Sequence, residues 1–263
     1  MSVSTEIKSS ILLVNYKTLE LTAVCLNLIK KNLDLTKFEV WVVDNGSNDE
    51  SVEYLRTLDW IHLLERVPES GENGFTAHGR ALDMALECIK TDYAFLFHTD
   101  TFIYDAKILD TMLSKCEADS QVVAVGCLDQ VYRTPFRTLW RIITRSIKHF
   151  YRKCKIFLGI KTRLPKEFRE VYLKSFCALW NVKIVKELGM SFFMADRIPG
   201  YELQDKLTQL GYKTIAIPAN FLFQYVDHVE AGTKALRKNY GKQNRRVKRQ
   251  QSMLQNLYKD ISN

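Results

Sequence analysis

Apolar runs alternate with helically spaced apolar positions through the first hundred residues of the chain. The run Ser10–Asn15 is apolar until its end and is typical of a buried central strand. Apolar residues recur at helical spacing from Leu21 to Ile29, and Phe38–Val43 predicts a second strand. The alternation continues as a helix, a strand, a helix and a strand at residues 52–58, 61–64, 81–89 and 93–97. Repeated strand–helix units predict an α/β fold with a mostly parallel central sheet flanked by helices.

Polar residues follow the predicted strands at the points where they end. Asn15 and Tyr16 come after the first strand, and Asp44 and Asn45 come after the second. The segment His98-Thr99-Asp100 follows the strand at 93–97. Ligands of a mostly parallel sheet gather at the carboxyl ends of its strands. We therefore expect these segments to form one binding site.

Several segments, taken in order, resemble glycosyltransferase family 2, whose members have the GT-A fold. A single one is weak evidence, because Asp-Asn-Gly-Ser by itself is mostly a turn, but the order and spacing of the set are specific. The segments are Asn15-Tyr16, 44–49, 72–75, 98–100, 201–207 with Gly211-Tyr212, and 226–228. The resemblance covers about residues 9–232. It implies a Rossmann-like GT-A domain over residues 1–232 and a hexosyl- or deoxyhexosyltransferase.

The resemblance implies that a nucleoside-diphosphate sugar, the donor, binds at the strand ends. Its base and ribose would contact Asn15, Tyr16, Asp44 and Asn45. Its diphosphate would approach a loop and the first turn of a helix, where backbone N–H groups and a cation attract anions. The residues expected there are Asn73, Gly74, His78 and Arg80. Two alternatives stay open: Asp44 caps a turn, and Arg80 lies on a solvated helix face.

His98-Thr99-Asp100 occupies the position of the family's Asp-x-Asp motif, which holds a divalent metal against the donor diphosphate. The first acid is missing, so the resemblance assigns the metal contact to Asp100, with His98 and His228 as further ligands or partners. Because manganese accepts imidazole more readily than magnesium does, we expect Mn²⁺ in preference to Mg²⁺. Two alternatives are a His98 that bonds backbone at a strand end, and a transferase that has lost its activity.

Transfer also needs a base, because the acceptor hydroxyl loses its proton as it attacks the anomeric carbon. The family places the base in a Glu-Asp-x-Asp-Leu-x-x-Arg-Leu motif. Residues 202–207 match its second half, and Pro199-Gly200 occupy the positions of the Glu-Asp pair. We expect Glu202 to be the base, followed by Asp205 and Asp196, in a single displacement that inverts the anomeric carbon. Alternatively, Asp205 is a solvated helix residue.

Positive charge is concentrated in two segments of the chain. The net charge is +8, with 11 Lys and Arg and no acid in residues 131–166, and 9 and no acid in residues 231–259. We interpret the first segment as a basic amphipathic insertion at 133–166 and the second as a helical tail at 233–263. Two cationic attachments on an otherwise acidic body predict contact with an anionic surface.

The cations of the insertion recur every three or four residues, which confines them to one stripe of a helix. Aromatic and aliphatic residues occupy the opposite side. This pattern predicts a helix in a membrane interface, with its cations among anionic headgroups. The predicted membrane contact comprises Arg137, Trp140, Arg141, Arg145, Lys148 and Arg152. As an alternative, the helix docks on its own domain and its arginines are solvated.

The chain has neither a run of about 18 apolar residues nor the pattern of a secretory signal. We expect a cytoplasmic protein on the inner face of the cell membrane, with a lipid-linked saccharide acceptor used in bacterial surface-polysaccharide assembly. We expect no nucleic acid, because the aromatic residues segregate from the cations. Two rival classes are a sugar-nucleotide pyrophosphorylase, which would need a Gly-rich loop in place of Asn15-Tyr16-Lys17, and a non-catalytic basic membrane- or nucleic-acid-binding protein.

Overall fold

The computed structural model describes residues 7, 9–165, 167–194 and 197–229. The predicted tail at 233–263 and the candidate base Asp196 lie outside the described residues, so both stay predictions. Within the described ranges the chain forms an α/β structure with one large sheet. No helix in this part of the chain combines the length and the apolar character needed to cross a membrane.

The four strands predicted from the sequence form in the predicted order, and their first and last residues agree with the predicted ones to within one position. In chain order they are β1 (Ser9–Asn15), β2 (Phe38–Asp44), β3 (His62–Glu65), β4 (Tyr93–His98), β5 (Thr101–Ile103), β6 (Val122–Gly126), β7 (Cys177–Asn181), β8 (Lys213–Ala216) and β9 (Val226–His228). The large sheet has the order β3-β2-β1-β4-β7-β6-β8, and a small sheet pairs β5 with β9. In the large sheet β7 runs antiparallel to both neighbours, and the other neighbouring pairs are parallel.

Helices cover the sheet on both faces. They are α1 (Leu19–Asn32), α2 (Glu50–Arg56), α3 (Gly74–Cys88), α4 (Lys107–Glu117), α5 (Pro135–Phe157), α6 (Val182–Glu187), α7 (Tyr201–Gln209) and α8 (Ala219–Leu222). Neighbouring residues of β1 point to opposite faces of the sheet. Ile11 and Leu13 pack in one core with residues of α1, whereas Leu12 packs in a second core with residues of α3. Both cores are fully buried around the central strand, which explains its uninterrupted apolar sequence.

The strand directions decide which residues meet at the edge of the sheet. The parallel strands β1, β2, β4 and β6 end at the same edge, and β7 begins there because it runs the other way. The segments that follow β1, β2, β4 and β6 therefore lie near the segment that precedes β7. The small sheet adds His228 to this edge, because Thr101 of β5 pairs with His228 of β9. This pairing brings the histidine beside Asp100.

Candidate active site

A cleft of about 850 Å³ lies across the strand ends at this edge of the sheet. Residues predicted from the sequence that line it are Tyr16, Asn45, Asn73, Gly74, His78, His98, Asp100, Arg141 and Arg145. Predicted residues that do not line it are Asn15, Asp44, Arg80, His228, Glu202 and Asp205. The structure therefore brings most of the expected nucleotide and metal residues together. Glu202 and Asp205, the two candidate bases among the described residues, are not in the cleft lining.

Asn15 and Asp44 form a buried hydrogen-bond network beneath the cleft. Asn15 Nδ2 donates to Asp44 Oδ1 at 2.7 Å and to Ser51 Oγ at 2.9 Å. Asp44 Oδ2 accepts from the backbone N–H of Ser47 at 3.0 Å, and Asp44 Oδ1 accepts from the Ser47 hydroxyl at 2.5 Å. Asp44 thus closes the turn after β2, which is the turn-capping alternative. Its contact with a nucleotide base stays a prediction.

Asn45 is held at the cleft by an ion pair to which the sequence analysis assigned no role. Arg66 Nη1 donates to Asn45 Oδ1 at 2.9 Å and to Glu72 Oε2 at 2.8 Å. The Arg66 and Glu72 side chains are only 10% and 5% exposed. Separation of a pair that is shielded from water would leave each charge without its partner, which is costly, so the pair keeps its position. Opposite charges six positions apart in a loop were their only sequence signal.

The start of α3 lines one side of the cleft. Asn73 caps this helix, because its Oδ1 accepts from the N–H groups of Phe75 at 2.9 Å and Thr76 at 3.0 Å. Arg80 forms ion pairs with Glu69 and, at 2.9 Å, with Glu72. The cation expected at the diphosphate is therefore held by two carboxylates, and Arg80 does not line the cleft.

Asp100, His98 and His228 converge at the centre of the site. Oδ1 of Asp100 lies 3.2 Å from Nε2 of His228 and 3.8 Å from Nδ1 of His98. One potential ligand atom from each residue lies within 4.8 Å of the others. Carboxylate and imidazole groups at this spacing are the donor set of a divalent metal.

The hydrogen bonds of the two histidines determine which nitrogen faces Asp100. His228 Nδ1 lies 2.9 Å from the backbone carbonyl of Gln130. A carbonyl only accepts, so Nδ1 carries the hydrogen and Nε2 of the neutral ring offers a lone pair. This Nε2 is buried without a hydrogen-bond partner. In that neutral form, Nε2 of His228 and Oδ1 of Asp100, which lie 3.2 Å apart, can both coordinate one cation, so the residues fit a metal.

His78 belongs beside this group. Its ring packs edge-on against the ring of His98, with centroids 5.4 Å apart, and its Nε2 is buried without a hydrogen-bond partner. Burial lowers the pKa of His78 to about 4 and the pKa of His98 to about 3, against the opposing effect of the Asp100 charge. Both imidazoles are therefore neutral near pH 7, which is the form that binds metals.

Glu202 and Asp205 lie one turn apart on α7 and share a cation. Arg197 Nη1 donates to Glu202 Oε2 and to Asp205 Oδ2, each at 2.7 Å. The Tyr172 hydroxyl also donates to Asp205 Oδ2, at 3.0 Å. Asp205 is thus part of an ion-pair cluster and is not a freely solvated helix residue. Neither acid lines the cleft, so the role of either as base stays a prediction.

Helix α5 carries two of the predicted membrane-contact residues into the cleft. Arg141 Nη2 donates to Glu170 at 2.5 Å, and Arg145 Nη1 donates to the same carboxylate at 2.8 Å. These two arginines line the cleft and pair with an acid of their own domain. Their contact with a membrane stays a prediction. In this structure they are not simply solvated, whereas the docked alternative expected solvated arginines.

The other predicted contact residues of α5 lie elsewhere on the helix. Arg137, Trp140 and Lys148 are exposed, and Arg152 donates to the backbone carbonyl of Leu164 at 3.4 Å. The apolar side of the helix faces outward. Its exposed residues are Phe136, Leu139, Trp140, Ile143, Ile147, Phe150 and Tyr151. The helix therefore packs its polar side on the domain and leaves its apolar side uncovered by the described residues.

The mostly parallel α/β sheet, with His98 at the end of β4 and Asp100 just beyond it, has the architecture of the GT-A fold. The chain belongs to glycosyl transferase family 2, whose family model matches residues 10–179. The family and fold predicted from the sequence are therefore confirmed.

Two solved structures illustrate the similarity. Mannosyltransferase PcManGT from Pyrobaculum calidifontis, in complex with GDP-Man and Mn²⁺, has a TM-score of 0.57 and 19% identity, over 80% of this chain and 55% of that chain. TarS 1-349 of S. aureus has a TM-score of 0.47 and 16% identity, over 71% of this chain and 50% of that chain. The chain spans about half the length of these structures, and no curated protein matches it. Likeness at such identities shows the fold.

Proposed function

We propose that the protein is a metal-dependent inverting glycosyltransferase that moves a sugar from a nucleoside-diphosphate sugar to a hydroxyl of a saccharide acceptor. The convergence of Asp100 and His98, which line the cleft, with His228 beside them carries this proposal. Membership in glycosyl transferase family 2 supports it over a sugar-nucleotide pyrophosphorylase. PcManGT was solved with GDP-Man and Mn²⁺, which supports a nucleotide-sugar donor and a metal.

Each member of the proposed metal group has a distinct task. Asp100 supplies the charged ligand, and the Gln130 carbonyl orients His228 so that Nε2 points inward. Ser175 Oγ, 2.9 Å from His98 Nε2, leaves Nδ1 of that ring facing Asp100. When bound, a divalent cation stabilises the negative charge that develops on the leaving diphosphate. Two imidazoles among three donors favour Mn²⁺ over Mg²⁺.

The acceptor hydroxyl needs a base, and Glu202 remains our first candidate, with Asp205 second. Glu202 lies in the first turn of α7, whose preceding residues Ile198 and Pro199 line the cleft. Arg197 holds Oε2 of this carboxylate at 2.7 Å, which leaves Oε1 as the oxygen that would accept the proton. A change in the position of α7 or of the acceptor would have to bring this oxygen to the cleft, since Glu202 does not line it.

We further propose that the protein works on the inner face of the cell membrane, on a lipid-linked acceptor of bacterial surface-polysaccharide assembly. The exposed apolar side of α5 supports contact with a bilayer, since Phe136, Trp140 and Ile147 are 75%, 62% and 64% exposed. Rows of aromatic and aliphatic groups of this kind enter the acyl boundary of a membrane interface. The exposed cations Arg137 and Lys148 would then meet headgroups at its margin.

A thermal-shift panel tests the proposed activity. Nucleoside diphosphates and nucleotide sugars are added to the protein with Mn²⁺ or with EDTA, because a ligand that binds the folded form raises its melting temperature. We expect at least one nucleotide to stabilise the wild type with Mn²⁺, and the effect to vanish in Asp100→Asn. Equal stabilisation in EDTA, or in Asp100→Asn, would contradict the metal-dependent assignment.

A further inference from the structure

A cluster of cations forms the wall of the cleft beyond the proposed metal group. The cationic wall, as we name it, consists of Arg133, Arg141, Arg145 and Lys174, with the carboxylates Asp129 and Glu170. All six residues line the same cleft as Asp100. We propose that the cationic wall binds a phosphate group that links the saccharide acceptor to its lipid.

The contacts leave the cationic wall with an excess of positive charge. Glu170 accepts from Arg141 at 2.5 Å, from Arg145 at 2.8 Å and from Lys174 at 3.0 Å. Asp129 Oδ1 lies 3.0 Å from Arg133 Nη1 and also 3.0 Å from Arg141 Nη1. If the charge of Asp129 neutralises one of the four cations, the other three share the single negative charge of Glu170.

The ionisation of Glu170 does not change this balance near neutral pH. Burial raises its pKa, but hydrogen bonds from Arg145 and Lys174 outweigh burial and bring the pKa to about 2. Glu170 is therefore already negative and cannot neutralise more than one of the three cations. The remaining positive charge is available to an anion in the cleft.

The position of the cationic wall separates it from the donor side. Tyr16 and Asn45 follow β1 and β2, on one side of β4, whereas the wall follows β6 and precedes β7, on the other side. Two short connections join the wall to the metal group. Lys174 precedes Ser175, which bonds His98, and Asp129 precedes Gln130, which bonds His228.

A donor bound over β1 and β2, with its diphosphate at the metal group, leaves the β6 and β7 side for the acceptor. This step rests on the proposed function. Guanidinium groups suit a phosphate there, because their planar N–H pairs match two of its oxygens. When no saccharide acceptor is bound, Glu170 accepts the hydrogen bonds of the same guanidinium groups. An arriving phosphate therefore competes with that carboxylate.

The same helix points to a lipid as the source of the phosphate. Arg141 and Arg145 face the cleft from α5, and Trp140 and Ile147 on this helix face outward. A second hollow of about 440 Å³ continues the positive surface along α5, lined by Arg145, Lys148 and Arg152 among others. A phosphate attached to a lipid chain can therefore meet cations and an apolar helix side within one element.

Titration calorimetry with decyl phosphate, below its micelle concentration, tests the proposal. The buffer contains EDTA and no nucleotide, so the result does not depend on metal-dependent donor binding. Inorganic phosphate and the neutral amphiphile decyl glucoside are the matched probes. We expect decyl phosphate to bind more tightly than either, because it carries both the charge and the chain.

Three variants and one control make the measurement specific. We expect Arg141→Gln and Arg145→Gln each to weaken decyl phosphate binding about tenfold, as befits the loss of one charged hydrogen-bond donor. We expect Glu170→Gln to strengthen binding, because the competing carboxylate is gone. Lys153→Gln, an exposed cation of α5 that does not line the cleft, should leave binding unchanged. Thermal melting shows whether each variant is folded.

Several results would overturn the proposal. Unchanged affinity in both arginine variants would remove the cationic wall from binding, and weaker binding in Glu170→Gln would show that the carboxylate merely holds the wall together. Displacement of decyl phosphate by a nucleoside diphosphate in EDTA would assign the wall to the donor. Equal affinity for inorganic phosphate would remove the lipid as the source. Apart from that displacement, these outcomes do not bear on whether nucleotides bind with Mn²⁺, so the proposed function is tested separately by the thermal-shift panel.

Discussion

Single hydrogen bonds decide what the histidines of this cleft can do. A backbone carbonyl holds one nitrogen of His228, and the Ser175 hydroxyl lies beside one nitrogen of His98. Because each ring has two nitrogens, the remaining nitrogen is directed at Asp100 without any change of side-chain position. The carbonyl belongs to the backbone, so substitution at Gln130 cannot remove it. The orientation of His228 is thus robust to sequence change at its partner.

Removal of one ligand should weaken metal binding measurably. We expect Asp100→Asn and His228→Gln each to weaken Mn²⁺ binding by roughly tenfold or more, because each removes a donor atom from the group. Electron paramagnetic resonance of free Mn²⁺ provides the measurement. His62→Gln is the matched control, since His62 stacks on Trp41 and does not line the cleft. Equal binding by His228→Gln and the wild type would exclude His228 from the group.

The two acids of α7 offer an internal comparison. We expect Glu202→Gln to abolish sugar transfer while nucleotide binding persists, and Asp205→Asn to retain most of the transfer. Both substitutions remove one bond to Arg197, so loss of that ion pair alone affects them alike. Product formation and thermal shift, measured on the same samples, separate turnover from binding. Transfer by Glu202→Gln at the wild-type rate would identify a different base.

The sequence predicted residues at strand ends better than it predicted their partners. Asp100 and Tyr16 line the cleft as expected, because a parallel sheet places its strand ends together. The bonds of Asp44 to Asn15, and of Glu202 to Arg197, join side chains whose contacts depend on the folded loops. Nothing in the local pattern distinguishes a carboxylate that is open to a ligand from one that a neighbour already occupies.

At the scale of elements, the strands were easier to predict than the placement of α5. Burial of β1 on both faces favours an uninterrupted apolar run, and this run is visible in Ile11–Val14. For α5, the periodicity separates a cationic side from an apolar side but does not show which side meets the domain. The answer depends on two acids, Glu170, which lies 25 positions beyond Arg145, and Asp129, which lies 12 positions before Arg141. Charge pairing therefore contributes to the attachment of this helix, along with its buried residue His149.

The outward side of α5 gives a prediction for membranes. We expect the double variant Trp140→Ser and Ile147→Ser to reduce flotation with vesicles that contain acidic lipids, because less apolar surface enters the interface. Leu210→Ser is the control, since Leu210 is an exposed leucine outside α5. Equal flotation of the double variant and the wild type would exclude this side of the helix from membrane contact.

At the scale of the whole molecule, stability should depend on pH through Glu170. Its pKa lies near 2 in the folded protein against an ordinary value of 4.5, so the folded state binds fewer protons between these values. The stabilisation is present in full above about pH 4.5 and is lost as the pH falls toward 2. We expect Glu170→Gln to lower the free energy of unfolding at pH 7 by about 2 kcal/mol more than at pH 3.

Urea unfolding at the two pH values measures this difference. Glu167→Gln, at an exposed acid three positions away, is the matched control and should show the same change in stability at both pH values. An equal loss of stability at pH 7 and pH 3 in Glu170→Gln would show that the carboxylate charge does not hold α5 to the domain.

On the proposed assignment, the reversed direction of β7 places the contacts of the two substrates on separate stretches of the chain. Residues on the side of Tyr16 and Asn45 come from segments that leave β1 and β2, whereas Lys174 and Ser175 come from the segment that enters β7. Replacement of the segment between α5 and Lys174 would change the proposed acceptor side and leave Ser175, which bonds His98, in place. We therefore expect relatives with this layout to differ more in their acceptors than in their donors.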